Sequence, residues 1–147
     1  MNPQPFVVKP DEYARGLNVV GETITVLASH DATWGYEIFM QQGPEGSGPP
    51  PHSHDWDESF FVIKGSVEVT CNDQTSHATP GTLVHVPAGT THSFRMGPGG
   101  CEMLSVAGHT SRASALFTMI DQEVPPGPPD IAKLLEIAAK CNVHVGE

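Results

Sequence analysis

Along most of this chain, apolar and polar positions alternate in short runs that glycine and proline interrupt. Residues 22–29 (Glu-Thr-Ile-Thr-Val-Leu-Ala-Ser) are rich in β-branched side chains and predict a strand. His30-Asp-Ala-Thr33 predicts a turn, and residues 34–42 the next strand. Residues 43–51 carry four prolines and three glycines, which reads as a breaker-rich loop. Strands are expected at 59–64, 66–71, 75–78, 82–86, 91–96 and 101–107, with turns at Gly65, Asn72-Asp73, Pro80-Gly81, Pro87-Ala-Gly89 and Gly97-Pro-Gly-Gly100.

The two ends have a different pattern. Residues 1–18 hold Pro3, Pro5 and Pro10 and predict an extended arm, in which Phe6-Val7-Val8 offers an edge strand. After Pro125-Pro-Gly-Pro-Pro129, Asp130 is a good N-cap, and Ile131, Leu134, Leu135 and Ala138 recur at one helical face. A terminal helix over about 130–142 is expected, packed outside the strands or closing over their mouth. Residues 111–119 predict a short helix or irregular segment near that mouth. Short strands at this spacing indicate an all-β sandwich or barrel, and a double-sheet jelly roll satisfies the pattern. The whole chain, 1–147, reads as a single domain with its barrel at about 20–110.

Composition narrows the functional classes. The formal charge of −10, from 7 basic and 17 acidic residues, argues against nucleic acid and anionic membrane surfaces as partners. No apolar run approaches the roughly 20 residues of a membrane span. Cys71, Cys101 and Cys141 are odd in number and widely spaced, which predicts free thiols. With no signal-type apolar segment at the start, a cytoplasmic location is expected.

The chemistry concentrates in residues 46–65. His52 and His54 stand two apart, so in an extended strand they share a face; Glu58 keeps the same parity. Two imidazoles and a carboxylate suit Fe, Mn, Ni, Co, Cu or Zn. The stretch fits G-x5-H-x-H-x3-E-x6-G from Gly46 to Gly65. A second stretch, Gly81 to Met96, fits G-x5-P-x-G-x2-H-x3-N through His92 but ends on Met96 in place of Asn. On these two motifs the chain resembles the cupin superfamily, and its small single-domain shape is similar to the quercetin dioxygenase-like group.

That resemblance implies a jelly-roll (double-stranded β-helix) barrel with a short C-terminal helix. It also implies one divalent transition metal held by His52, His54, Glu58 and His92. Glu58 would serve as both ligand and base. Candidate pocket residues are Phe39, Trp56, Phe60, Val62, Phe94 and Met96, an apolar set suited to an aromatic or enolisable small molecule. The expected activity is a metal-dependent dioxygenase on such a substrate. The alternatives are a non-oxidative isomerase, lyase or decarboxylase on the same site, or a small-ligand-binding protein without turnover. A homodimer through the N-terminal arm or outer strands is expected. Lys64 and Arg95 are the cations of the motif region, available to a substrate anion or to solvent.

Overall fold

A computed structural model describes residues 2–146. Nine strands form one antiparallel sheet that curls into a barrel. They are β1 (Leu17–Val19), β2 (Glu22–Ala28), β3 (Glu37–Gly43), β4 (His52–Ser53), β5 (Glu58–Cys71), β6 (Gln74–Ala78), β7 (Leu83–Val86), β8 (His92–Ala107) and β9 (His144–Val145). The order β1-β2-β3-β8-β4-β9 makes one path, and β5 pairs with β6, β7 and β8. The α-helices among the described residues are the single turn α1 (His30–Thr33), then α2 (Ala113–Glu123) and α3 (Ile131–Lys140), and Pro10–Glu12 of the expected extended arm close a 3-10 turn. Among the described residues, no helix is long and apolar enough to cross a membrane.

The sheet departs from the expected elements where glycine bends a strand rather than ending it. Residues 58–71 and 92–107 each form one strand, so Gly65 and residues 97–100 do not end strands as expected. Val67 faces Met96 and Gly65 faces Cys101, which leaves residues 97–100 bulged opposite Ser66 alone. Gly65 has φ +78°, and a Cβ there would lie 2.1 Å from the Gly100 carbonyl oxygen. The bulge concentrates twist and turns the ladder back on itself. Residues 30–33, expected as a turn, close one helical turn. Phe6, Val7 and Val8 join no strand and are exposed.

Two apolar clusters result. One fills the barrel with Phe60, Val62, Val69, Phe94, Met96 and Met103. The other lies between the outer strands and the two long helices, with Ile24, Phe39, Trp56, Ile120, Ile137 and Val143. Glu37 ties β3 to the start of α2. Its buried carboxylate accepts from Ser111 Oγ at 2.6 Å, from the Ser114 backbone N–H at 3.1 Å and from the Ser114 hydroxyl, and so fixes the start of α2. Asp130 caps α3 as expected, accepting from the Lys133 N–H at 3.1 Å.

Candidate metal centre

Each histidine of the site reaches its place from a different local structure. His52 is in β4, directly paired with His92 at the start of β8. His54 sits in the turn that follows β4 and leads to Glu58 at the start of β5. The approach to His52 is a tight loop. At Gly48 a Cβ would lie 2.0 Å from the Phe94 carbonyl oxygen, so no side chain fits. Arg95 clamps this loop, donating from Nη1 to the carbonyls of Gly48 (2.9 Å) and Pro49 (3.0 Å). Arg95 thus supports the site.

One nitrogen of each ring is committed to the backbone. Nδ1 of His52, His54 and His92 lies 2.9, 3.0 and 2.9 Å from the carbonyls of Pro50, Trp56 and Thr90. A carbonyl only accepts, so each Nδ1 carries the proton and each neutral ring turns its Nε2 lone pair inward. The three histidines offer ligand atoms within 4.8 Å of one another and could hold a metal ion. Glu58 Oε1 lies 3.3 Å from Nε2 of both His54 and His92. Lone pairs would then face a carboxylate, an arrangement that only a cation stabilises, whether a proton or a metal ion. The donor set of imidazoles and one carboxylate suits a divalent transition metal.

The electrostatics agree. Burial drives the Glu58 carboxyl upward, but once His54 and His92 take a second proton on Nε2 their hydrogen bonds and charges outweigh it and leave a pKa of about 2. His52 is pushed down to about 4 by burial, with the neighbouring His92 adding to the effect. His92 is also opposed by burial, yet Glu58 raises it overall. The centre therefore favours one ionised carboxylate and takes up positive charge next to it.

These groups open onto a cavity of about 260 Å³ beneath α2 and α3. Phe60 and Phe94 line it as expected, while α3 supplies Ile131, Leu134, Leu135 and Ala138. The amphipathic tail helix thus covers the mouth. Phe39, Trp56, Val62 and Met96 do not line this cavity. Phe39 is fully buried behind it, edge-on to Phe117 at 5.1 Å. Trp56 stacks flat on His54, centroids 4.1 Å apart and planes 7° apart. Val62 and Met96 are packed in the barrel interior. The Met96 backbone pairs with the loop through Gly46 N–H and Ser47 C=O, both at 2.8 Å.

Two polar cavity residues escaped sequence reasoning, Glu22 and Gln41. Parity could have found them. Glu22 shares the buried face of β2 with Ile24, and Gln41 that of β3 with Phe39. Among the described residues, His52, His54 and His92 form the one group of three or more side chains placed to share an ion.

A Cupin domain model matches residues 38–107. The chain is 28% identical over 93 residues to quercetin 2,3-dioxygenase of Bacillus subtilis (strain 168), covering 63% of this chain and 28% of that protein. It therefore spans little more than a quarter of that relative's length. Among solved structures, KdgF from Halomonas sp. superposes with a TM-score of 0.68 at 16% identity, over 76% of this chain and 99% of the other. The polyketide cyclase RemF from Streptomyces resistomycificus gives a TM-score of 0.63 at 23% identity, over 72% and 80%.

Proposed function

Taking as premise that the protein belongs to the cupin superfamily, we propose that it is a metal-dependent enzyme, a dioxygenase acting on a small aromatic or enolisable substrate. His52, His54, His92 and Glu58 would hold one divalent transition metal. The observation that carries this reading is the common orientation of the three imidazoles. Every Nδ1 is pinned to a carbonyl, the three rings offer ligand atoms within 4.8 Å of one another, and Nε2 of His54 and His92 faces the Glu58 carboxylate. Backbone support of this kind orients metal-binding histidines.

Such an ion supplies Lewis acidity and, where it is redox-active, a centre for dioxygen chemistry. The chain's own residues supply the rest. Phe60 and Phe94 give an apolar wall that excludes water from one side of the bound molecule. Glu58 is held ionised, which suits it to hold a cation; a carboxylate with a pKa of about 2 is a weak base and would take a proton only from a hydroxyl already acidified. The cavity, at about 260 Å³, sits just below the usual range for drug-sized ligands and fits a substrate of roughly one or two rings. The likeness to the Bacillus quercetin 2,3-dioxygenase supports an oxidative reaction on such a molecule.

A non-oxidative reaction on the same site is the second reading. It is favoured by the sharing of this fold with a polyketide cyclase. Substrate screening on flavonols, catechols and diketones, run in air and under anaerobic conditions, separates the two. Turnover with stoichiometric oxygen uptake supports the dioxygenase. Turnover that persists without oxygen overturns it in favour of Lewis-acid chemistry. A metal-loaded protein that binds these compounds without turnover identifies a binding protein.

A further inference from the structure

The cavity has five polar side chains in its lining, and only three of them belong to the metal centre: His52, Glu58 and His92. The other two are Glu22 and Gln41. Both are more than nine-tenths buried, at 6% and 4% exposure. They come from neighbouring strands, β2 and β3, where Gln41 is paired with Ile24. Gln41 Nε2 donates to Glu22 Oε1 at 3.2 Å. Glu22 Oε2 and Gln41 Oε1 make no hydrogen bond among the described residues, and neither is sealed from the cavity. With no protein partner, these two oxygens face the cavity, where water or a ligand atom must pair with them.

Resting on the proposed metal site, we infer that the Glu22–Gln41 pair is a second recognition pole of the cavity, which binds an uncharged hydroxyl group of the substrate remote from its metal-chelating end. The donor and acceptor inventory selects a hydroxyl. Burial, partly offset by the Gln41 hydrogen bond and reinforced by the charge of Glu58, holds the Glu22 carboxyl at about 8. At neutral pH it therefore carries a proton, so Glu22 donates and Gln41 Oε1 accepts. A hydroxyl accepts from the first and donates to the second. A carboxylate or phosphate has no hydrogen to give Gln41 Oε1, so a hydroxyl satisfies the pair better than an anion. The substrate class narrows to neutral phenols or alcohols with a chelating oxygen pair at one end and a further hydroxyl at the other.

Two probes test this on the zinc-loaded protein by calorimetry: naphthalene-2,3-diol, and naphthalene-2,3,6-triol with its third hydroxyl across the fused rings. The triol is expected to bind about tenfold more tightly, the worth of two neutral hydrogen bonds. That advantage disappears in Glu22→Leu and Gln41→Leu, while diol affinity stays within about twofold, well under one hydrogen bond's worth. Glu22→Gln, which keeps a donor and the side-chain shape, retains part of the advantage and guards against misfolding of the leucine variants. Equal binding of diol and triol, an advantage that persists in the leucine variants, or binding of neither probe overturns the inference. The same titrations on metal-free protein judge the metal site separately. A diol that gains nothing from zinc counts against the metal reading, while the ratio of triol to diol still judges the pole.

Discussion

Glu58 and His92 lie at opposite ends of the β5–β8 ladder, yet their side chains meet. Glu58 pairs with Ala107 and His92 with Cys71, while Glu58 Oε1 is 3.3 Å from His92 Nε2. In a flat ladder that separation along the strand would be about 43 Å. Curling at Gly65 and the 97–100 bulge brings the ends together, so the site exists only because two long strands bend.

Gly65→Ala tests that dependence. The substitution combines a φ of +78° with a Cβ 2.1 Å from a backbone oxygen that cannot move freely. The expected loss is about 3 kcal/mol or more in denaturant unfolding, together with loss of metal binding. A variant that keeps both stability and metal affinity would show that the bend is not imposed at this residue.

Trp56 acts on His54 twice, by stacking on its ring and by accepting its Nδ1–H through the carbonyl. The carbonyl survives any substitution, but the stack does not. Trp56→Leu should weaken metal affinity about tenfold, measured by competition with a chelator, and Trp56→Phe should weaken it less. Unchanged affinity in folded Trp56→Leu protein would leave the carbonyl as the sole support of His54.

Arg95 holds the loop that delivers His52. Arg95→Met keeps much of the apolar stem and removes both hydrogen bonds that Nη1 makes to the loop. Metal affinity should fall by roughly tenfold, with a modest stability loss of about 1 kcal/mol because Arg95 is exposed. If substrate affinity falls while metal affinity holds, Arg95 is instead a substrate contact.

Much of this arrangement was legible in the chain. The two motif spacings pointed to His52, His54, Glu58 and His92 as one set, and the chain brings them together; strand parity alone could not, because His54 lies in a turn and His92 on another strand. The face made by Ile131, Leu134, Leu135 and Ala138 carried the tail helix, though not which surface it covers, which depends on contacts distant in sequence. Gly65 and residues 97–100 misled because glycine with positive φ marks a turn and a bulge alike. Phe39, Val62 and Met96 are apolar and inward-facing, as cavity walls would be; only the packed layers show that they stand behind the wall. Glu22 and Gln41 were hidden by residue type, since acids and amides in strands usually face solvent.

Glu22 also sets a pH dependence. Its pKa is raised from 4.5 to about 8 in the folded chain, so the native state keeps a proton that the unfolded chain has released. Between those values the unfolded state binds fewer protons, and stability falls as pH rises. Above about 8 this contribution levels off. The loss is at most a few kcal/mol. Glu22→Gln should flatten that slope in urea melts taken from pH 5 to pH 9. An unchanged slope in the variant would assign it to another group.

Elemental analysis of untagged protein, side by side with His52→Ala and Glu58→Ala, tests the metal centre most directly. The account predicts about one divalent transition metal per chain in the parent protein, from three imidazoles and a carboxylate around one ion. It predicts loss of that metal in both variants, with the fold retained by circular dichroism. A parent protein that takes up no metal after gentle purification and reconstitution, or variants that hold it as tightly, would contradict the account.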